Sequence, residues 1–472
     1  MSGIVSYGAY VPYWRLQRSA ISGALGAGGG RGSRSVASFD EDTTSLGVEA
    51  SRIALRLAPD ARPSSLWFAT TEPAYADKTN ANAIHAALSL PSSVIALDTI
   101  GSVRSAWAAA LAAARSDGLA VIADIRTGLP GGGDEANGGD AAVAILFGDE
   151  GVLAETIAHA SATAEFTDRW RVPGASTSKQ WEERFGEHAY LPLAAEAITA
   201  ALKDAGITAA DLDHVVVTGL HARAVTAARK AVGARPEAMA DDLTSIIGNS
   251  GAAQWGIVLA DVLDRAAPGQ TILVASMADG CDAAVLRTTD ALPAHRARAG
   301  YRSVRDAIAA TNDALTYAQF LTWRGQIHRE PPRRPEPERP AAPPSLRTNR
   351  WKYGFYGSVD EAGFVHLPPS RVSMESGDID HMTAKRMADV QATIATYTID
   401  RLAYSMSPPV VAAIIDFDGG GRMQCELTDV DPASVKIGDR VQMTFRRLYT
   451  QDGIHNYFWK ARPLAAPTST EG

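Results

Sequence analysis

A thiolate is the strongest nucleophile a side chain can supply, and the chain holds two candidates, Cys281 and Cys425. They lie far apart in sequence. Cys281 sits in a glycine-rich segment and Cys425 in a strand-like run, so they form neither a C-x-x-C metal cluster nor a disulfide framework. Both read as buried small apolar residues. His366, Asp380 and His381 carry metal-ligating atoms, yet their spacing matches no standard site. The run GALGAGGGRG near residue 26 is rich in glycine but lacks the G-K-[ST] ending of a phosphate loop, and reads as a flexible loop. Tyr449, His455, Tyr457 and Trp459, with the neighbouring FRR, combine stacking and cationic groups as single-strand binders do. A formal net charge of -8 opposes that reading and argues against nucleic acid or an anionic membrane as a partner.

These residues belong to a chain of 472 residues, long enough for two or three domains, with an ordinary 46% hydrophobic and 21% charged composition. The opening segment lacks the apolar core of a signal peptide and no stretch approaches a membrane span, so a cytoplasmic protein is expected. Apolar runs (WFATTE, VIALDTI, LAVIADIR, AAVAILFG) alternate with Ala-rich helical patterns (NANAIHAALSL, VRSAWAAALAAARSDG), which indicates βαβ units in a layered α/β fold. GGDAAVAILFGDEG near residue 140 recurs in type as GCDAAVLRTTD near residue 282, each after a strand-like run, and this predicts two similar halves. The proline-rich, alternately charged stretch 330–350 disfavours helix and sheet and marks a linker. Beyond it, short strands with DGGG and QDG turns read as a small all-β barrel of the OB type. The stretch 353–382 reads as an irregular surface loop. The predicted organisation is therefore 1–150 and 151–329 for the two halves, 330–350 for the linker and 351–472 for the C-terminal domain.

The blocks ATTEPAYADKTNANAIHAALSL, ALDTIGSVRSAWAAAL, TGLHARAV, SIIGNSGAAQWGIVLADVLD and QTILVASMADGCDAAVL occur in the order of those of the thiolase superfamily. Over roughly residues 3–290 the chain resembles its hydroxymethylglutaryl-CoA synthase branch. RWKYGFYGS, VHLPPSRV, IDFDGGGR, ELTDVDP, IGDRVQMTFRR and GIHNYFWKARP resemble the zinc-ribbon OB-fold proteins that accompany thiolases. The resemblance implies a five-layer α/β/α/β/α sandwich of two halves, a C-terminal OB-fold barrel, a CoA thioester as substrate and a homodimer.

Carried over position by position, His221 matches the histidine that assists condensation and helps form an oxyanion hole, and Asn249 the asparagine that completes it. Both types suit the chemistry, because an imidazole or carboxamide N–H can stabilise a thioester oxygen that gains charge. The family nucleophile, a cysteine after the aspartate corresponding to Asp98, falls on Val103, which cannot attack a thioester. Ser102 and Ser105 flank the vacancy as substitute nucleophiles. Glu72 falls in the block of the catalytic glutamate and is the base candidate, while Arg104, beside the vacancy, reads as a helix-surface arginine, with a carboxylate or phosphate partner as the alternative. The ribbon cysteines fall on Val359, Ala362, Ser373 and Ser376, with Gly363 and Gly377 retained, so no thiolate zinc site is expected. The expectation is an enzyme that makes or cleaves a C–C bond, or transfers an acyl group, on a β-keto or β-hydroxyacyl-CoA without the usual cysteine and without a tightly bound cofactor. The alternative is a non-catalytic acyl-CoA-binding or scaffolding subunit of a separate thiolase or other acyl-CoA enzyme.

Overall fold

The computed structural model describes residues 1–464, and the chain forms two compact units. The first comprises residues 1–37, 49–82 and 92–317, and the second comprises 38–48, 83–91 and 318 onward.

The first unit is built on nine strands: β1 (Gly3–Tyr10), β2 (Ser65–Thr70), β3 (Ile95–Ile100), β4 (Leu119–Ile125), β5 (Asp140–Gly148), β6 (Ala154–Ala162), β7 (His214–Gly219), β8 (Thr271–Met277) and β9 (Cys281–Thr288). Their order is β7-β8-β9-β6-β1-β5-β4-β2-β3. The duplication read from the sequence is visible in the pairings. Running outward from the centre, β1-β5 and β5-β4 are antiparallel and β4-β2 parallel, while β6-β9 and β9-β8 are antiparallel and β8-β7 parallel. The halves meet through a single residue pair, Ile4 with Ala154. The echoed segments are β5 and β9.

Period-two alternation gives each half-sheet two apolar faces. Val216, Ile272, Val274 and Leu286 turn to a central layer holding the helices α2 (Ser105–Ala114) and α5 (Gln254–Leu263), against Ile4, Ile122, Val143 and Ile145 of the other half. Every residue of α5 is buried, as a helix between two sheets must be. Val215, Val217, Leu273 and Val285 turn outward to α3 (Glu183–Ala205) and α4 (Ala222–Ala231). On the free face of the first half lies α1 (Thr43–Arg56), whose approach needs Gly8: a Cβ there would come 2.3 Å from the Ala50 carbonyl oxygen. The result is the expected five-layer sandwich. Burial of each Val, Leu or Ile in these layers contributes about 1.5–3 kcal/mol.

The second unit carries a small sheet and a barrel. The stretch 353–382, expected as an irregular loop, instead supplies strands β10 (Tyr356–Val359) and β11 (Val365–His366), which join β12 (Thr383–Arg386) in the order β11-β10-β12. Side chains hold this sheet where hydrophobic periodicity gave no signal. Asp360 accepts from the Phe364 N–H at 2.8 Å and from the Ser373 hydroxyl at 2.6 Å, and Ser373 Oγ accepts from the Ser376 N–H at 2.9 Å. Gly363 and Gly377 take φ of +90° and +79°, which explains their retention in turns. The proline-rich stretch also differs from expectation, since α6 (Ala342–Arg347) forms within it. Its prolines fall in the first turn, where a missing N–H has no intrahelical partner to lose.

The barrel strands are β13 (Ala392–Asp400), β14 (Val410–Phe417), β15 (Arg422–Leu427), β16 (Arg440–Gln451) and β17 (Ile454–Pro463), in the order β13-β14-β15-β17-β16. It closes where β13 meets β16, through Ala392 with Val441 and Thr393 with Arg440. Alternate residues Val411, Ala413, Ile415 and Phe417 of β14 face the interior with Phe445 and Trp459.

Candidate functional site

Strand β7 ends at Gly219, and after Leu220 the chain enters α4 with His221 as its N-cap. His221 Nδ1 accepts the Ala224 N–H at 3.1 Å, so the ring proton resides on Nε2, which donates to the Glu183 carbonyl at 2.8 Å. The Gly219 carbonyl accepts from Asn249 Nδ2 at 2.8 Å, and Asn249 Oδ1 accepts the Gly251 N–H at 3.0 Å. Asn249 is thereby fixed at the turn leading into α5. Both side chains line one cavity of about 920 Å³, within the size range of small-molecule sites.

The wall opposite α4 comes from the segment after β6. Asp168 precedes a short hairpin of Arg169–Trp170 with Lys179–Gln180, and the Trp181 N–H closes it on the Asp168 carbonyl at 2.7 Å. Arg169 meets Asp134 through two bonds of 2.7 and 2.8 Å. Among the aromatic residues of this segment, Tyr190 is buried in the outer core while Trp181 is 60% exposed and lines the cavity. Basic side chains also face the space. Arg229 and Lys230 come from α4, and Arg18 and Arg126 from elsewhere in the unit. Burial lowers the pKa of both Arg18 and Arg126, with Asp124 opposing the shift for Arg126. Asp168, Arg18 and Arg126 carry no motif and were not singled out by sequence.

Other sequence-derived candidates lie apart from that cavity. Val103 is buried at the turn into α2 and is not among the lining residues, and neither are Ser102 and Ser105. The Ser102 N–H points at Ser105 Oγ, at 3.4 Å. Arg104, expected on a helix surface, is only 22% exposed and grips Asp282 with bonds of 2.8 and 3.0 Å, which raises its pKa. Glu72 is bonded to Arg171, which also donates to the Thr71 carbonyl. Burial pushes the thiols of Cys281 and Cys425 up to about 12, so neither is a thiolate at neutral pH.

Comparison with known proteins bears on this geometry. Residues 202–288 match the family model of the 3-oxoacyl-[acyl-carrier-protein] synthase III C-terminal domain, and residues 385–446 match the C-terminal OB-fold domain of ChsH2. The hydroxymethylglutaryl-CoA synthase of Picrophilus torridus is 29% identical over 346 residues, covering 69% of this chain and 97% of that protein. The synthase of Pyrobaculum neutrophilum is 28% identical over 344 residues, covering 69% and 97%. Among solved structures, MvaS in complex with 3-hydroxy-3-methylglutaryl coenzyme A superposes with a TM-score of 0.55 at 19% identity, covering 72% of this chain and 94% of that one. The 3-oxoacyl-[acyl-carrier-protein] synthase III of Aquifex aeolicus VF5 gives 0.53 at 16% identity, covering 61% and 100%.

Proposed function

We propose that this thiolase-like chain, a relative of the hydroxymethylglutaryl-CoA synthases with a ChsH2-type OB-fold domain, is an enzyme acting on CoA thioesters. In this reading it makes or cleaves a C–C bond, or transfers an acyl group, on a β-keto or β-hydroxyacyl-CoA, without a cysteine nucleophile. The observation that carries it is the pairing of His221 and Asn249 in one large cavity, each held by a backbone carbonyl or amide bridge that fixes its orientation. Their N–H groups supply the donors that a thioester oxygen needs as it becomes an enolate or alkoxide. Arg229 and Lys230 on the same cavity suit the phosphates of CoA. Val103 and the two protonated thiols leave no cysteine to form an acyl-enzyme, which favours direct enolate chemistry. The substrate is the CoA ester, and the reading requires no tightly bound cofactor.

Purified protein incubated with β-ketoacyl-CoA and β-hydroxyacyl-CoA esters, with and without free CoA, should give new products by mass spectrometry. His221→Ala should lower turnover about 100-fold to 1000-fold, the loss that follows removal of one oxyanion donor. Absence of any CoA-ester binding would overturn the reading. A second reading, a non-catalytic acyl-CoA-binding subunit of a separate thiolase, is favoured by the fact that the His221 donor already has the Glu183 carbonyl as its acceptor. It predicts binding without turnover and co-purification with a cysteine-bearing thiolase. Strand β3 ends the sheet with Ile95, Leu97 and Ile100 exposed. Such an apolar edge supports the homodimer included in the proposal, and the cytoplasm is its proposed location.

A further inference from the structure

His221 is committed at Nδ1 to the N–H of Ala224, and a proton on Nδ1 would break that cap at the start of α4. The ring therefore enters the cavity with a proton already on Nε2, as a donor. A reaction that begins by removing a proton from the substrate needs a base from elsewhere in the same space. Glu72 is taken by Arg171. Of the carboxylates on the cavity, Asp134 is paired with Arg169, Glu183 with Arg223, and Asp242 accepts from the Thr244 N–H and hydroxyl. That leaves Asp168: it is 8% exposed, and among the described residues its side-chain oxygens have no hydrogen-bond or ion-pair partner.

Its relation to His221 is set by a glycine. Gly186 lies inside α3, where Ala would be the better helix former. The point that a Cβ on residue 186 would occupy is 2.3 Å from Asp168 Oδ1 and 2.7 Å from His221 Nε2. The carboxylate and the imidazole thus close together over the backbone of residue 186, leaving no room for a side chain there.

We propose that Asp168 is a catalytic base that works with His221 on the bound acyl-CoA, an assignment that rests on the acyl-CoA reading above. Asp168 takes a proton from the carbon α to the thioester carbonyl. The C–H electrons form the Cα=C bond, and the carbonyl electrons move to the thioester oxygen, which replaces the Glu183 carbonyl as acceptor of the His221 Nε2–H. In C–C bond formation the enolate attacks a second carbonyl and Asp168 returns its proton to the new alkoxide. In cleavage Asp168 takes the proton of the β-hydroxyl, the Cα–Cβ bond breaks, and the enolate regains that proton at Cα. Each direction balances with no further reactant.

The test is exchange of the α-protons of acetyl-CoA and longer saturated acyl-CoA esters into D2O, followed by NMR, beside CoA-ester binding by calorimetry. Wild-type protein should exchange, and Asp168→Asn should bind with unchanged affinity while exchanging at least about 100-fold more slowly. Gly186→Ala should slow exchange as well, because its methyl would overlap both side chains and displace them from their shared position. Equal exchange in wild type and Asp168→Asn would overturn the assignment of Asp168 and leave the acyl-CoA reading standing. Binding without exchange in wild type would overturn it in the same way, whereas wild-type protein that binds no CoA ester would remove both.

Discussion

In the barrel unit Arg446 is fully buried and fully matched, contacting Glu41 at 2.7 Å, Asp40 at 3.4 Å and also Asp429. Lys460 beside it contacts Asp40 at 3.0 Å and Glu426 at 2.8 Å. In the α/β unit, Asp168 is nearly as deeply placed, yet it meets no cation and opens on a cavity. A buried charge that is saturated by partners holds segments together, here residues 38–48 to the barrel strands. One left without a partner costs stability unless it is used. Partner saturation, more than burial, separates a structural carboxylate from a candidate catalytic one in this chain.

The sharpest way to break that comparison is to remove one member of the saturated cluster. Asp40→Asn strands Lys460 and Arg446 with less than their full complement of charge, and should destabilise the second unit by about 3–5 kcal/mol. Denaturant unfolding of the full chain, followed by circular dichroism, measures it. A change below about 1 kcal/mol would show that the cluster is slack. The same residue should govern acid sensitivity. Burial pushes the Asp40 carboxyl up, but Lys460 and then Arg446 outweigh that and bring it down to about 2. A carboxyl whose folded pKa is depressed contributes stability above its unfolded value, near 3.9, and loses it as pH falls through the folded value. Between pH 5 and pH 2, roughly the span of those two values, wild-type protein should lose about 2 kcal/mol more than Asp40→Asn does. Parallel acid titrations of both proteins would show it.

Legibility in the sequence followed the range of the interactions. Strands β5 and β9 were visible as an echo because buried central strands must be apolar whatever they pack against, and both carry runs with Ala, Val and Leu behind an aspartate. His221 and Asn249 came through their family blocks, and the structure sets them on one cavity. The β10–β12 sheet was not visible, because Asp360, Ser373 and Ser376 hold its turns through polar bonds that leave no periodic pattern. Glu72 stood out through its block, but its partner Arg171 is distant in sequence and no local pattern announces such a pair. Asp168 sits in an irregular segment with no motif. The one local sign of its role was a lone glycine in an otherwise helical run, Gly186 in ERFGEHAY, which marks a close approach without saying what approaches.

The smallest expected effect is the most discriminating. Replacing Asp168 by Asn keeps the shape of the side chain and removes a charge that has neither counter-ion nor hydrogen-bond partner among the described residues. Desolvating an amide costs less than desolvating a carboxylate. The variant should therefore unfold with unchanged free energy, or gain about 0.5–1 kcal/mol, the direction expected when a site held for function is relieved. The same substitution at Asp40 should be severely destabilising. Unfolding curves for the pair, taken under one buffer condition, measure the difference directly. If Asp168→Asn instead loses as much as Asp40→Asn, the carboxylate is tied into the fold as firmly as the barrel cluster, and its place at the cavity is structural.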